Sequence, residues 1–330
     1  MIKTEKKKFF ILDIFLILFV LCFVFFTVPH GENTNANSKI NSKDWMSYIS
    51  DDKLIRDINI PGTHDSGTKY TAGYVTSIIA SCQDLSITEQ LESGIRYLDI
   101  RLDCDFDVNH GGVVCYTSFW TSSKYKLTFK KVLDYITDFL KNHSTETVIV
   151  QIKPEGNMKK DKKNLLQKLN DLLSDSKYNN YLYQGNKYIK KLNLGDIRGK
   201  FVIFSRYNHP SDSYRYYNWK DNCSNSKAKL DSSTVYLQDY YNSKTSTDKM
   251  ICIENFYNSI WQEEEDLENN YVVNFNSCVG PYCPEYVANR LNPKFEDFFD
   301  ENNYKKFGII LMDVPSENLI SKIYMSNINN

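Results

Sequence analysis

The alternation of strand-like and helix-like segments after Trp45 is the feature that most restricts the fold of this chain. Segments with the apolar runs or two-residue alternation typical of strands span residues 97–103, 147–153, 201–206, 235–239, 272–275 and 309–313. An apolar stripe at helical spacing runs from Val132 to Leu140 between two of them. Strands that alternate with helices favour a parallel sheet, and this many fit an α/β barrel better than a doubly wound sheet.

Residues 44–330 are predicted to form a single domain. No low-complexity segment, repeat or long Pro/Gly linker interrupts them, and 42% apolar with 25% charged residues is sufficient for a full core. Forty basic and 41 acidic residues give a net charge of −1, so no overall field attracts nucleic acid or an anionic membrane. We therefore expect no nucleic-acid partner. We also expect a monomer.

The N-terminus has the composition of an export segment. Basic residues precede a long apolar run over residues 9–28, which predicts a signal peptide in residues 1–29. The run is also long enough for an uncleaved membrane anchor, although Asp13 interrupts it and favours the signal peptide. Residues 30–43 are rich in Asn and Ser, as in a flexible spacer. We expect a secreted or extracellular protein, or one anchored through residues 9–28.

Seven of the eight cysteines lie outside the apolar run. Cys104 and Cys115 bracket a short acidic loop, and Cys278 and Cys283 bracket four residues, so each pair is a candidate disulfide in an exported protein. No spacing matches a zinc site, and the odd number predicts at least one buried thiol.

Polar residues stand at the end of nearly every predicted strand. In the stretch Ile60–Thr68 a short strand is predicted to end at Pro61-Gly62, which places His64 and Asp65 on a loop. Similar positions on the other strands hold Asp99, Arg101, Lys153, Arg206, Asp239 and Asp313. Each residue alone fits a solvated strand end, but in a barrel these ends converge on the C-terminal face, where active sites are built.

A second histidine, His110, follows the 97–103 strand in the sequence Val-Asn-His-Gly-Gly and can face His64 across the same mouth. Two histidines and a cation are sufficient to cleave a phosphodiester by internal attack. One imidazole removes a hydroxyl proton, the cation offsets the phosphoryl charge, and the other imidazole protonates the leaving alkoxide. His143 and His209 fit surface positions, and no glycine-rich loop predicts a nucleotide site.

Six motifs resemble, in order, those of the bacterial-type phosphatidylinositol-specific phospholipases C, over roughly residues 45–325. They are Ile60–Thr68, Tyr97–Arg101, Asn109–Gly112, Leu194–Tyr207, Val235–Tyr241 and Ile310–Asp313. The resemblance implies a distorted (β/α) TIM-type barrel. It also implies that the inositol 2-hydroxyl of phosphatidylinositol, or of a glycosylated inositol lipid, attacks phosphorus and releases diacylglycerol and a cyclic inositol phosphate.

The resemblance also implies a role for each matching residue. His64 would be the general base, His110 the general acid and Arg101 the phosphate ligand. Asp313 would hold His64, Asp65 would support His110, and Asp99 would lie near Arg101. The implied substrate contacts are Lys153, Arg206, Asp239 and Tyr241, the last stacking on the inositol ring.

The residue at position 101 also predicts whether the enzyme uses a metal ion. At this position eukaryotic and some bacterial relatives have a carboxylate that binds calcium. An arginine repels calcium and offers its own charge to phosphate, so we predict an enzyme without a metal or other cofactor. Relatives also carry tryptophans that dip into the membrane. The candidates here for peripheral membrane contact are Val75, Ile78, Ile79 and Tyr282, although the stretch 72–80 also fits a buried helix face.

Two other functions are compatible with these residues. One is a non-catalytic barrel that binds lipid or glycan, although such a protein need not retain both histidines and Arg101. The other is a glycerophosphodiester phosphodiesterase, whose chemistry usually needs a metal held by several carboxylates.

Overall fold

The computed structural model describes residues 40–155, 162–185, 189–207, 214–230, 233–263, 267–279 and 283–328. The predicted export segment and residues 30–39 of the predicted spacer lie outside these ranges. A 3₁₀ helix already covers Ser42–Tyr48, so the folded part extends slightly beyond the predicted boundary at residue 44. No helix in the described ranges is both long and apolar enough to cross a bilayer.

Nine of the described strands close into a barrel. In chain order they are β1 (Ile60–Thr63), β3 (Tyr97–Leu102), β6 (Val148–Pro154), β7 (Phe201–Ser205), β8 (Tyr214–Asn218), β9 (Ser226–Leu230), β10 (Ser233–Gln238), β11 (Tyr271–Asn276) and β12 (Ile309–Met312). Around the barrel the order is β1-β12-β11-β10-β9-β8-β7-β6-β3, and β3 pairs with β1. Pairing is parallel except on the two sides of β9, which distorts an otherwise parallel barrel and confirms the predicted fold class.

A small separate sheet carries one of the candidate histidines. Its strands are β2 (Tyr70–Thr71), β4 (Asn109–His110) and β5 (Val113–Tyr116), in the order β2-β5-β4. Short two-residue strands of this kind give no recognisable pattern in the sequence, and this sheet was not predicted.

The described helices follow the strands along the chain. They are α1 (Tyr74–Ala80), α2 (Ile87–Ser93), α3 (Phe129–Asn142), α4 (Lys162–Ser174), α5 (Ser176–Asn179), α6 (Leu194–Ile197), α7 (Ser246–Ile260), α8 (Pro284–Asn302) and α9 (Glu317–Met325). Helix α2 begins with a capping box, in which the Ser86 hydroxyl accepts from the Glu89 amide and the Glu89 carboxylate accepts from the Ser86 amide. The predicted stripe from Val132 to Leu140 faces the core on α3.

Aromatic rings fill the barrel interior below the mouth. The rings of Tyr97 on β3 and Tyr271 on β11 both contact the ring of Phe204 on β7, at centroid distances of 6.1 and 6.4 Å. Because these three strands are not neighbours, the contacts cross the inside of the barrel. The barrel is therefore a packed core with its open polar end at the carboxyl ends of the strands.

The prediction that the first strand ends at Pro61-Gly62 is wrong. Residues Ile55–Asp57 form a 3₁₀ helix, and β1 runs through the Pro-Gly pair to Thr63. A side chain at Gly62 would come within 2.9 Å of Cβ of Tyr97 on the neighbouring strand. The glycine therefore allows two strands to approach closely, and it does not mark a turn.

The two proposed disulfides are also absent: all seven cysteines in the described residues are free thiols. Cys115 is buried in the hydrophobic core on β5, whereas Cys104 lies in the turn after β3 and is only partly buried. Cys278 is buried after β11, and Cys283 is the residue that precedes α8. Proximity in sequence did not bring either pair into bonding position.

Candidate active site

His64 lies where two neighbouring strands end. Thr63 of β1 pairs with Met312 of β12, so the residues that follow them, His64 and Asp313, are adjacent. Nδ1 of His64 donates a hydrogen bond to Oδ1 of Asp313 at 2.8 Å. Because a carboxylate only accepts, this bond keeps the proton on Nδ1 and leaves the lone pair of the neutral ring on Nε2.

The surroundings of His64 raise its pKa above 6.5. Burial alone lowers the pKa of the ring, but the negative charges of Asp313 and Asp65 outweigh burial, while Arg101 opposes them. The net effect is a stronger base than an ordinary histidine, and its unprotonated Nε2 lies at the mouth of the barrel beside the guanidinium of Arg101.

Arg101 occupies the centre of the cluster. Its Nε is 2.8 Å from Oδ1 of Asp65, and its Nη2 is 3.3 Å from Oδ2 of Asp99 and 2.6 Å from Nε2 of His64. Burial lowers the pKa of Arg101, but Asp65 and Asp99 raise it by more, so the guanidinium stays charged. Its side chain is 13% exposed, which leaves one edge accessible to a ligand.

Asp99 supplies a fixed negative charge beneath Arg101. Burial raises the pKa of this carboxyl, but the charges of Arg101, His64 and Lys153 outweigh burial and hold the pKa at about 2. Nε2 of Gln151, its partner on the neighbouring strand, donates to Oδ1 of Asp99 at 2.6 Å. Asp99 is thus ionised throughout the physiological range and anchors the arginine.

His110 reaches the same cluster from the small sheet. Its Nδ1 donates to the carbonyl oxygen of Ala80 at 2.9 Å, which directs Nε2 towards Oδ2 of Asp65 at 3.4 Å. The same carboxylate oxygen is 3.2 Å from Nε2 of His64. Asp65 therefore links the two histidines and Arg101 at one point.

The backbone on both sides of this cluster adopts conformations that L-residues seldom take. The φ angle is 45° at Asp65 and 39° at Val314, and a β-branched residue such as valine is rare at positive φ. Side-chain amides hold these loops: Nε2 of Gln83 donates to the carbonyl of His64 at 2.7 Å, and Nδ2 of Asn292 donates to the carbonyl of Val314 at 3.1 Å. Strain of this kind concentrates at functional sites.

The predicted substrate contacts form a second group around the barrel mouth. Cζ of Arg206 lies 3.6 Å from the ring centroid of Trp219, whose Nε1 donates to Oδ2 of Asp239 at 2.8 Å. The Tyr241 hydroxyl donates to Oδ2 of Asp221 at 2.6 Å, and this bond is the main reason that the pKa of Tyr241 is raised to about 12.

Lys153 connects the two groups. It pairs with Arg101 in the register of β3 and β6, and its Nζ is 3.8 Å from a carboxylate oxygen of Glu155. Burial lowers the pKa of Lys153, and the positive charges of Arg101 and Arg206 lower it further. Three cations close enough to affect one another favour an anionic ligand between them.

Comparison with known proteins agrees with this geometry. The family described as "Phosphatidylinositol-specific phospholipase C, X domain" matches residues 58–207. A 1-phosphatidylinositol phosphodiesterase of Listeria monocytogenes is 28% identical over 94% of this chain and 96% of its own length. One of Staphylococcus aureus is 24% identical over 90% of this chain and 98% of its own length. The crystallised phosphatidylinositol-specific phospholipase C of Listeria monocytogenes superposes with a TM-score of 0.69 at 25% identity, covering 87% of this chain and 99% of that one.

Over residues 58–207 the chain has the X domain of phosphatidylinositol-specific phospholipase C, and over nearly its whole length it is similar to bacterial enzymes of that kind. This confirms the family predicted from the six motifs, and all six of them lie at or next to strands of the barrel or the small sheet. In this phospholipase C fold the six predicted catalytic residues are brought together at the carboxyl ends of the strands.

Several side chains of the phospholipase C site were not predicted from the sequence. These are Glu155, Trp219 and Asp221, which contact Lys153, Asp239 and Tyr241 respectively. Glu155 could have been found, because it follows Lys153 by two residues at the end of the same strand. Trp219 and Asp221 follow β8, a strand that was not predicted, so no signal located them.

Lys249 was also missed, although it is fully buried on α7. Its Nζ donates to Oε1 of Gln238 and to the carbonyl of Tyr240, both at 2.8 Å. Nε2 of Gln238 then donates to Oδ1 of Asn274 at 2.7 Å. Burial lowers the pKa of Lys249 to about 8. This network fixes segment 238–241, which bears two of the predicted substrate contacts.

Three overlapping groups in the mouth have donor atoms close enough to consider as metal ligands. They are His64 with Cys82 and Asp313, Asp65 with Cys82 and His110, and His64 with Asp65 and Asp99. None offers the several oxygen ligands that calcium prefers, and the guanidinium of Arg101 already contacts Asp65, Asp99 and His64. The donor set does not fit a calcium ion.

Two of the four predicted membrane contacts are exposed side chains. Ile78 and Ile79 on α1 are 50% and 63% exposed, so the buried-face alternative does not apply to them. The side chain of Val75 and the whole of Tyr282 lie outside the described residues, as does His209. His143, predicted to be a surface residue, caps α3 and bonds Asp44 through Nδ1 at 2.7 Å.

Proposed function

We propose that this enzyme cleaves the phosphodiester of phosphatidylinositol, or of a glycosylated inositol lipid, by attack of the inositol 2-hydroxyl on phosphorus. The products are diacylglycerol and cyclic inositol 1,2-phosphate. One observation carries the proposal: Nε2 of His64 and Nε2 of His110 lie 3.2 and 3.4 Å from the same oxygen of Asp65, with Arg101 between the strands that hold them. This arrangement supplies a base, an acid and a cation around one carboxylate.

His64 acts as the base in this mechanism. Its Nδ1 proton is held by Asp313, so the lone pair on Nε2 takes the proton of the 2-hydroxyl while the hydroxyl oxygen forms its bond to phosphorus. The raised pKa of His64 makes this transfer more favourable than it would be to an ordinary histidine. Arg101 offsets the charge that develops on the phosphoryl oxygens.

His110 acts as the acid. As the bond from phosphorus to the diacylglycerol oxygen breaks, the proton on Nε2 of His110 passes to that oxygen, so diacylglycerol leaves as a neutral alcohol. Asp65 stabilises the protonated ring because its carboxylate lies 3.4 Å from the same nitrogen.

The inositol ring is bound by the second group of residues. Lys153, Arg206 and Asp239 supply hydrogen-bond partners for hydroxyl groups, and Trp219 holds Asp239 in position. The phenol ring of Tyr241, fixed through its bond to Asp221, offers a face on which the apolar side of the inositol can stack.

The reaction needs no metal ion. Arg101 supplies the positive charge that calcium would supply in a carboxylate-based site, and it lies among the oxygen atoms that would have to bind the ion. We further propose that the enzyme is exported by its N-terminal segment, acts outside the cell as a monomer, and contacts the membrane peripherally through Ile78 and Ile79.

The test is headgroup release from phosphatidylinositol vesicles in excess chelator. The parent enzyme should be active, and His64→Ala or His110→Ala should each lower turnover by at least about 10²-fold. His143→Ala is the matched control, because this histidine pairs with Asp44 away from the mouth, and it should keep parental turnover.

Three results would contradict the proposal in different ways. Near-parental activity of either mouth variant would remove that histidine from the mechanism. No release by the parent would favour a non-catalytic lipid-binding barrel. Loss of activity in chelator, restored by a divalent metal alone, would favour the metal-dependent chemistry of a glycerophosphodiester phosphodiesterase.

A further inference from the structure

The loop that joins β5 to α3 carries two consecutive aromatic side chains with almost no cover. Phe119 is 76% exposed and Trp120 is 73% exposed, the highest values among the large hydrophobic side chains of the described residues. Single exposed apolar residues are common, but a phenylalanine and a tryptophan side by side leave a large apolar area in water. Hydroxyl residues precede and follow them in the sequence Thr-Ser-Phe-Trp-Thr-Ser-Ser.

This pair extends from the sheet that holds His110. The loop leaves β5, whose Val113 pairs with His110 on β4 and whose Tyr116 pairs with Tyr70 on β2. The ring of Phe119 packs edge-on against the ring of Tyr70, at a centroid distance of 4.7 Å. Phe119 is therefore held against the sheet at the barrel mouth.

Helix α1 also contacts this sheet. Oγ1 of Thr71 on β2 donates to Oγ of Ser77 on α1 at 3.2 Å, and the carbonyl of Ala80 accepts the hydrogen bond from Nδ1 of His110. The exposed side chains of Ile78 and Ile79 belong to this helix. Two separate apolar elements thus contact the sheet that carries the proposed acid.

We propose that Phe119 and Trp120 form a second docking element for the phospholipid bilayer, beside Ile78 and Ile79. The proposal rests on the proposed function in one respect, that the substrate is a lipid presented at a membrane surface. The face that carries His110 must then turn towards that surface, and the sheet on this face bears the two most exposed large apolar side chains of the described residues. A tryptophan surrounded by hydroxyl groups suits the headgroup region, where an aromatic ring meets both acyl chains and water.

The charge of the protein makes such a contact necessary. With a net charge of −1 the chain has no general attraction to an anionic bilayer, so apolar insertion must supply most of the binding free energy. Lys124, exposed in the same loop, adds one local cation that can meet a lipid phosphate. A protein partner would instead be expected to require a larger apolar patch with depleted polar residues.

The test uses pure phosphatidylcholine vesicles, which separate docking from catalysis. The double variant Phe119→Ser with Trp120→Ser should weaken sedimentation with vesicles by about 10-fold or more, since both side chains lose apolar burial. Cleavage of a soluble inositol cyclic phosphate should stay at the parental rate. Tyr304→Ser is the matched control, because Tyr304 is 68% exposed before β12 at the opposite end of the barrel, and it should bind vesicles as the parent does.

A second measurement keeps the proposal testable if the double variant is unstable. Trp120→Phe should retain vesicle binding, but it should lose the part of the tryptophan fluorescence that brominated lipids quench in the parent. Unchanged vesicle binding by the folded double variant, or unchanged quenching in Trp120→Phe, would overturn the proposal. So would concentration-dependent dimerisation of the parent that the double variant abolishes, because the surface would then belong to a second copy.

The failure of docking and the failure of the proposed function give different results. If the loop does not dock, soluble substrate and lipid are still cleaved. If the protein is not a phospholipase, binding to phosphatidylcholine vesicles still reports on Phe119 and Trp120.

Discussion

Two arginines at opposite ends of strand β3 show how differently the two ends of this barrel use the same side chain. Arg96, just before β3, is fully buried and pairs with Glu146 at 2.9 Å. Its remaining donors bond the backbone carbonyls of Leu91, Ile95, Ser42 and Lys43. Arg101, near the other end of the strand, contacts carboxylates and a histidine and keeps one edge open to solvent.

The surrounding groups decide what each arginine can do. Burial lowers the pKa of Arg96. The negative charge of Glu146 raises this pKa again but only in part, because most of the other partners of the guanidinium are uncharged carbonyls. Around Arg101 the carboxylates outweigh burial and raise the pKa. The N–H groups of Arg96 bond the protein's own carbonyls and so stabilise the fold. The carboxylates around Arg101 keep it charged, and its partial exposure leaves it available to bind a ligand.

The largest expected effect is on stability at the closed end of the barrel, which is the end at the amino ends of the strands, where Arg96 is buried. Arg96→Met should lower the free energy of unfolding by about 3 to 5 kcal/mol, because it leaves Glu146 buried without a partner. Urea denaturation measures the change. The double variant Arg96→Met with Glu146→Leu should recover much of the loss, and the folded protein should keep parental turnover at low temperature. A large loss of turnover in the folded variant would contradict the view that Arg96 serves stability and Arg101 serves catalysis.

Substitution of Arg101, at the open end, should lower the rate of catalysis. Arg101→Lys keeps the positive charge but loses the planar fork, so turnover on phosphatidylinositol should fall by about 10²-fold or more. The free energy of unfolding should change by much less than in Arg96→Met, since a lysine still offsets the charges of Asp65 and Asp99. The contrary outcome is a strongly destabilised protein that turns over normally when folded.

A smaller effect is expected on the pH dependence of catalysis, and it distinguishes Asp313, which bonds His64, from other carboxylates at the mouth. His64 must be neutral to act as a base, so kcat/KM should rise as the pH rises through its pKa, which lies above 6.5. Asp313→Asn removes a charge that raises this pKa, so the acid limb of the profile should move to lower pH. Asp239→Asn is the control, because Asp239 bonds Trp219 and not His64, and it should weaken substrate binding without moving the limb. An unmoved limb in Asp313→Asn would show that another group sets it.

The open end was predictable to a large extent because its residues follow strands with a clear pattern. The alternation over 97–103 located β3 and the side chains of Asp99 and Arg101. Once a parallel barrel is accepted, the ends of its strands must converge, so the neighbourhood of His64 and Asp313 follows from the order of the strands. The predictions succeeded where local pattern and global topology gave the same answer.

The closed end and part of the substrate site were not predictable in this way. Nothing in the local sequence distinguishes Arg96 from Arg101. The carboxylate partner of Arg96, Glu146, is 50 residues away, and its other partners are backbone carbonyls, which any residue type supplies. Strand β9 alternates exposed lysines with buried residues and lacks an apolar run, so the hairpin of β8 and β9 and the residues Trp219 and Asp221 were missed. Long-range pairing decided these features.

The first product of the reaction shows whether two histidines move protons around an internal attack on phosphorus without a metal. Phosphorus-31 NMR of phosphatidylinositol vesicles treated with the enzyme in excess chelator should show a cyclic inositol phosphodiester accumulating before any monoester. The same signal should be at least about 10²-fold slower to appear with His64→Ala or His110→Ala. Direct appearance of an acyclic monoester, with no cyclic phosphodiester at any time, would rule out internal attack by the 2-hydroxyl.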